Sequence, residues 1–303
     1  MHLRCESERR ETNMKITLKA YAKINLMLDI LSRLENGYHD LYMIMQSVSL
    51  HDVVTVEKTD SKDIKITCDV PSIPTDEKNI AYKAAKAFFD YTAIENTGVA
   101  IDIQKNIPHA AGLAGGSTDG GAVIVALGEI FGVKLKEKDI IAIGSKVGAD
   151  VPFCALGGTM LAQYTGTVLS HLPDLDLPYI VIVKPSQDVS TAEAYGAFDT
   201  AERVRHLDKN GMLQAVIASD KDKVYEKVGN VFEQFIDVTE RVIIKDIMRK
   251  NGAKCALMSG SGPSIFGVFE DKASAEKCLC ELKKDYPQSC LCASTDCGCE
   301  AVR

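Results

Sequence analysis

The run Ile107-Pro108-His109-Ala110-Ala111-Gly112-Leu113-Ala114-Gly115-Gly116-Ser117-Thr118-Asp119-Gly120-Gly121-Ala122 sets five glycines between two segments of different character. Residues 99–105 before it alternate like a strand, and residues 122–131 after it form an apolar run that reads as a buried helix. Without Cβ atoms, glycines let backbone N–H groups approach a phosphate closely. A helix N-terminus beyond such a loop adds unpaired donors and a partial positive charge. The same composition also suits a structural turn, and glycines alone do not separate the two. Two familiar phosphate loops are excluded. No Gly-Lys-Ser or Gly-Lys-Thr closes the run, and its glycines lack the dinucleotide-binding spacing with a following acid.

Working outward, 303 residues can hold one large domain or two ordinary ones, and two are expected. A formal charge of -7 and a pI near 5.5 argue against a nucleic-acid partner or an acidic membrane surface, and point to a small ligand. No apolar run approaches the roughly 20 residues that span a bilayer. Residues 1–13 are charged, without period and without the apolar core of a signal peptide, so they read as a disordered extension of a cytoplasmic protein. Ten cysteines in that setting do not imply disulfides. The tail pairs Cys278/Cys280, Cys290/Cys292 and Cys297/Cys299 lack the Cys-x-x-Cys spacing of a zinc ribbon. Reduced thiols and no metal site are expected there.

Leu18, Ala20, Ala22, Ile24, Leu26 and Leu28 alternate with Lys19, Tyr21, Lys23, Asn25 and Met27, the period of a strand with one buried face. Lys23 and Asn25 therefore share the face that projects away from the core. Glu35-Asn36-Gly37 marks a turn, and residues 52–58 with 63–68 predict a hairpin. Helices are predicted over 79–91 and 137–147, the latter stopped by Gly148. A proline and aspartate cluster near 172 opens a second block. Its predicted strands are 179–184, 255–258, 265–270 and 289–293, and its predicted helices 191–198, 212–218, 239–250 and 272–284. That order suits an α+β sandwich with helices on one face.

The run Pro108-x-x-x-Gly112-Leu113-x-Gly115-Gly116-Ser117-Thr118 resembles the ATP loop of the galactokinase, homoserine kinase, mevalonate kinase and phosphomevalonate kinase (GHMP) superfamily. Ala20-Tyr21-Ala22-Lys23-Ile24-Asn25-Leu26 resembles its first motif, and Met258-Ser259-Gly260-Ser261-Gly262-Pro263-Ser264 its third. Two further segments, Asn36-Gly37-Tyr38-His39-Asp40-Leu41 and Gly148-Ala149-Asp150-Val151-Pro152-Phe153, look like those that mark the 4-diphosphocytidyl-2-C-methyl-D-erythritol kinase family. The resemblance covers residues 14–293. It implies a two-domain α+β fold: a ribosomal-protein-like α/β domain (14–170) that binds ATP and carries catalysis, then a ferredoxin-like α+β domain (171–303) that binds substrate. A small cytidine-diphosphate substrate is implied, with a monomer and a homodimer both open.

The same resemblance implies the site. Asp150 would take the proton of the substrate hydroxyl, with Lys23 beside it and near the γ-phosphate; read alone, Asp150 suits a helix N-cap and Lys23 a solvated strand face. Pro108, Ala110, Gly112, Leu113, Gly115, Gly116, Ser117 and Thr118 would hold ATP, with Ser117 or Thr118 touching the γ-phosphate or magnesium. No side chain is assigned as a magnesium ligand, and His109 is read as packing. Asn25 would bond the erythritol hydroxyls, or be an ordinary polar surface residue. Tyr38 and His39 would hold the cytosine, with Tyr195 as a second stacking wall. The departure is Thr118-Asp119-Gly120-Gly121, where relatives carry a second serine and alanines. Each glycine there should weaken the helix start by about 1 kcal/mol. Another GHMP small-molecule kinase, for mevalonate, phosphomevalonate or homoserine, and a non-catalytic ligand sensor are the competing readings.

Overall fold

A computed structural model describes residues 15–302, so the expected extension at 1–13 lies outside the described residues. Its first part runs β1 (Lys15–Arg33), β2 (His39–Lys58), β3 (Ile64–Cys68), α1 (Ile80–Thr92), β4 (Val99–Gln104), α2 (Gly115–Ile130), α3 (Glu137–Gly144), α4 (Val151–Leu156), β5 (Thr159–Tyr164) and β6 (Val168–His171). The second runs β7 (Tyr179–Val183), α5 (Thr191–Asp199), α6 (Lys209–Ile217), α7 (Lys221–Lys227), β8 (Gly229–Asn230), α8 (Arg241–Lys250), β9 (Cys255–Met258), β10 (Ile265–Phe269), α9 (Lys272–Leu282), β11 (Ser289–Cys292) and β12 (Cys299–Ala301).

β1 and β2 form a long antiparallel hairpin closed at Asn36-Gly37, where Gly37 takes φ +85° and the Asn36 side chain accepts from the Tyr38 N–H. The register shifts between Tyr21 and Ala22. Tyr21 pairs with His51 and Ala22 with Val48, so Ser49 and Leu50 of β2 are left out of the pairing with β1. Leu18 and Ala20 pack with the α1 and α2 residues Ala84, Phe88, Val123 and Leu127, while Ala22 and Ile24 join the core shared with the second part. The expectation that Lys23 and Asn25 project away from the core is corrected here: they are 4% and 0% exposed. The sheet is covered on both faces, and the alternation reports only that there are two.

The predicted hairpin of 52–58 with 63–68 is also corrected. β4 sits between β2, to which it is antiparallel, and β3, to which it is parallel. Val99, Ile101 and Ile103 of β4 are all buried, whereas β3 buries only Ile66 well, so the more apolar strand takes the interior place. A third correction concerns α2, which starts at Gly115 and not near Ala122. Gly120 and Gly121 lie within it because a Cβ would come within 2.8 Å of Ile80 on α1 and of the Ala155 backbone on α4.

The second sheet has the order β11-β7-β10-β9, antiparallel throughout. Along β7 the period of two is direct: Val181 and Val183 pack with α8 and α9 residues such as Ile244, Met248 and Cys278, while Ile180 and Ile182 face Ile24, Ile44 and the α6 residues Met212 and Val216. Both faces are covered, which is why β7 reads as an unbroken apolar run. The chain crosses the expected division at 170/171 twice, because β8 pairs parallel with β1 and β12 pairs antiparallel with it. Among the described residues no helix is long and apolar enough to cross a membrane.

Candidate active site

Three loops meet at Lys23. Gly112 takes φ +72°, and a Cβ on it would stand 2.2 Å from the Ser259 carbonyl oxygen; a Cβ on Gly260 would stand 2.9 Å from the Gly112 oxygen and 3.2 Å from Lys23 Nζ. Ser259 Oγ and Lys23 Nζ both donate to the Gly112 carbonyl, at 3.0 Å each. The Lys23 N–H donates to the Leu113 carbonyl and the Ser264 N–H to that of Ala111. The glycines of the second and third motifs are thus required by close backbone approach as well as by turning. Asn230, which carried no signal in the sequence, anchors the third loop by donating to the carbonyls of Met258 and Gly260.

The loop before α2 places Ala110, Gly112 and Ala114 at positive φ, 49°, 72° and 60°. Two alanines held in the left-handed region cost about 1 to 2 kcal/mol each. Alternating signs of φ aim successive N–H groups into one concavity. Ala114 is the N-cap of α2 and offers no capping side chain, so no side-chain oxygen covers the first-turn N–H groups. That open cradle fits a nucleotide phosphate. Ser117 lines the cleft beside it, whereas Thr118 is fully buried and donates its hydroxyl to the Tyr21 carbonyl. Leu113 likewise turns its side chain into the core. Pro108, Ala110, Gly115 and Gly116 line the cleft; so does His109, which is exposed and not packed as expected, because the loop carries it outward past the Ile107 anchor.

The cleft, about 950 Å³, runs from this cradle past Lys23 and Asp150 to Tyr38, His39 and Tyr195. Asp150 holds the N-cap position of α4, yet its side chain makes no capping hydrogen bond. Its carboxylate instead faces Lys23, with Oδ2 3.9 Å from Nζ and a third of the side chain open to solvent. Lys23 Nζ donates to Asn25 Oδ1 at 2.7 Å, and Asn25 is fully buried. At the far end Tyr38 is 66% exposed, and His39 stacks on Tyr195 with centroids 4.6 Å apart. Tyr195 is wedged edge-on against Phe232, and burial raises the pKa of its hydroxyl.

A second lysine cluster lies under the cradle and was missed in the sequence, where Lys105 stands 53 positions from Asp52 and 14 from Asp119. Lys105 Nζ donates to Asp119 at 2.7 Å and to Asp52, and Asp52 also accepts from the N–H groups of Asn106 and Ile107. Burial opposes the Lys105 ammonium, but the two carboxylates outweigh it and raise its pKa. Burial likewise pushes the Asp119 carboxyl up to about 8, with Lys105 pulling the other way, and Asp119 Oδ1 has no partner. Among the described residues no cluster of His, Cys, Asp and Glu is arranged to hold a metal ion.

Comparison with known proteins extends this geometry. Residues 79–158 match the GHMP kinases N terminal domain and residues 241–288 the GHMP kinases C terminal model. The chain is similar to a 4-diphosphocytidyl-2-C-methyl-D-erythritol kinase of Clostridium perfringens, 42% identical over 90% of this chain and 95% of that protein. A solved structure of a 4-(cytidine 5'-diphospho)-2C-methyl-D-erythritol kinase superimposes with TM-score 0.74 at 28% identity, covering 92% of this chain and 99% of the other. A homoserine kinase from Cytophaga hutchinsonii shares the fold, with TM-score 0.78 at 20% identity and full coverage of both chains.

Proposed function

The chain belongs to the 4-diphosphocytidyl-2-C-methyl-D-erythritol kinase family of the GHMP kinases, and we propose that it phosphorylates the 2-hydroxyl of that cytidyl substrate with ATP, in the non-mevalonate isoprenoid route. The observation that carries the reading is the uncapped Asp150 at the head of α4, facing Lys23 where the three loops meet. A kinase acting on an alcohol has to relieve its proton while charge develops on the transferred group. Asp150 accepts that proton. Its separation from Lys23 exceeds hydrogen-bond length, which leaves the carboxylate oxygen free for the substrate hydroxyl.

Lys23 is held in place by Asn25 and the Gly112 carbonyl, so its charge stands ready to favour the developing alkoxide. The cradle of 110–117 holds the nucleotide phosphates through backbone N–H groups, and Ser117 is the loop hydroxyl that faces the cleft. Ser117 would be the side chain to meet magnesium bound with the nucleotide, which would supply charge neutralisation. Asn25 turns its amide oxygen toward Lys23 and its amide nitrogen toward Met43 Sδ at the wall of the cleft, so it would meet the erythritol hydroxyls only by giving up the Met43 contact. The exposed ring of Tyr38 offers a stacking face for cytosine, while His39, backed by Tyr195, offers the polar edge that reads it.

The competing superfamily substrates carry no base for this end of the cleft to stack. A coupled assay of ADP release on 4-diphosphocytidyl-2-C-methyl-D-erythritol, mevalonate and homoserine tests the reading. Turnover confined to the cytidyl compound is expected. Turnover on mevalonate or homoserine at a comparable rate, or none on any of them, would count against it.

A further inference from the structure

Resting on the reading of Tyr38 and His39 as the cytosine pocket, we propose that Asp199 is a positioning residue that sets the tautomer of His39 and so makes the site prefer cytosine over uracil. Asp199 Oδ1 lies 2.7 Å from His39 Nε2. A carboxylate accepts, so Nε2 carries the proton; in a neutral imidazole this leaves Nδ1 as an acceptor. Among the described residues nothing donates to Nδ1. An acceptor at that edge complements the exocyclic amino group of cytosine and opposes the carbonyl oxygen that uracil carries at the same position.

The surroundings hold the ring in that orientation. Tyr195 and Asp199 lie four residues apart on α5, one turn of a helix, so the same helical face supplies the stacking ring and the carboxylate. Phe198 meets the His39 ring edge-on. Arg33 is directly opposite His39 across the β1–β2 hairpin and reaches the other Asp199 oxygen at 3.5 Å. Asp199 is also the last residue of α5, where a negative charge works against the helix dipole. Helix stability therefore gives no reason for an acid at this position, whereas the contacts with His39 and Arg33 do.

Calorimetric titration with cytidine 5'-diphosphate and uridine 5'-diphosphate, the nucleotide cradle saturated with a non-hydrolysable ATP analogue, measures the preference directly. The unaltered chain should favour the cytidine compound. Asp199→Asn, whose amide can donate to Nε2 as readily as accept from it, should shrink that preference by roughly 10-fold, the worth of one such hydrogen bond. A clear preference that Asp199→Asn leaves unchanged overturns the role of Asp199 while leaving the cytosine pocket standing. Equal binding of both compounds by the unaltered chain overturns the pocket and the proposal together. Nitrogen-15 shifts of His39 in the unaltered chain need no variant: an Nε2–H tautomer supports the proposal, and an Nδ1–H tautomer overturns it.

Discussion

Lys105 and Lys23 are both buried lysines that face aspartates, and they differ in closure. Lys105 is within hydrogen-bond reach of Asp52 and Asp119, and all three side chains are nearly shut off from solvent. Lys23 stands 3.9 Å from Asp150, whose carboxylate opens to the cleft. The closed cluster ties β2, the residue after β4 and the first turns of α2 together. The open pair leaves the Asp150 carboxylate facing the cleft. The residue types are the same in both, and geometry closes one cluster within the fold and opens the other to the cleft.

The largest effect should come from the closed cluster. Lys105→Met removes the cation that Asp52 and Asp119 share, and breaking a buried pair costs roughly 3 to 5 kcal/mol. Urea denaturation should register that loss; a change below about 1 kcal/mol would show that the cluster does not hold the fold together.

Asp150→Asn should invert the pattern. Turnover falls by roughly 100-fold or more, the scale of general-base loss, while ATP-analogue affinity and melting temperature stay close to the parent values. A stability loss approaching that of Lys105→Met, with turnover within a few fold, would make Asp150 a structural residue and erase the contrast.

The remaining effect is a pH dependence. The folded chain binds the Asp119 proton more tightly than the unfolded chain, since the carboxyl is raised from 3.8 to about 8. Its contribution to stability is therefore fully present below the unfolded value and is lost as pH rises toward the folded one. Asp119→Asn, which cannot ionise, should match the parent near pH 4 and become the more stable of the two as pH approaches 8. Parallel melting curves across that window would show that the Asp119 carboxyl is not raised in the folded chain.

Much of the site was legible because its parts are contiguous. Lys23 and Asn25 share one short motif, Asp150 another, and the glycine-rich loop is a single run of sixteen residues. What could not be read were partnerships between distant residues. Asp52, Lys105 and Asp119 come from three elements, Asp199 meets His39 across 160 positions, and Asn230 holds a loop 28 to 30 residues away. The choice between Ser117 and Thr118 was equally hidden, since it depends on which hydroxyl finds the Tyr21 carbonyl.

Local chemistry, read from the sequence alone, determined the strand period of β1, the Asn36-Gly37 turn, the apolar run of β7 and the order of the three motifs. Each rests on backbone preference or side-chain alternation over a few residues. Only the tertiary structure decided that β4 separates β2 from β3, that the face carrying Lys23 is buried, and that α2 begins at Gly115. Those outcomes depend on which surfaces compete for burial and which backbones must approach closely, and that competition is settled between elements far apart in the chain.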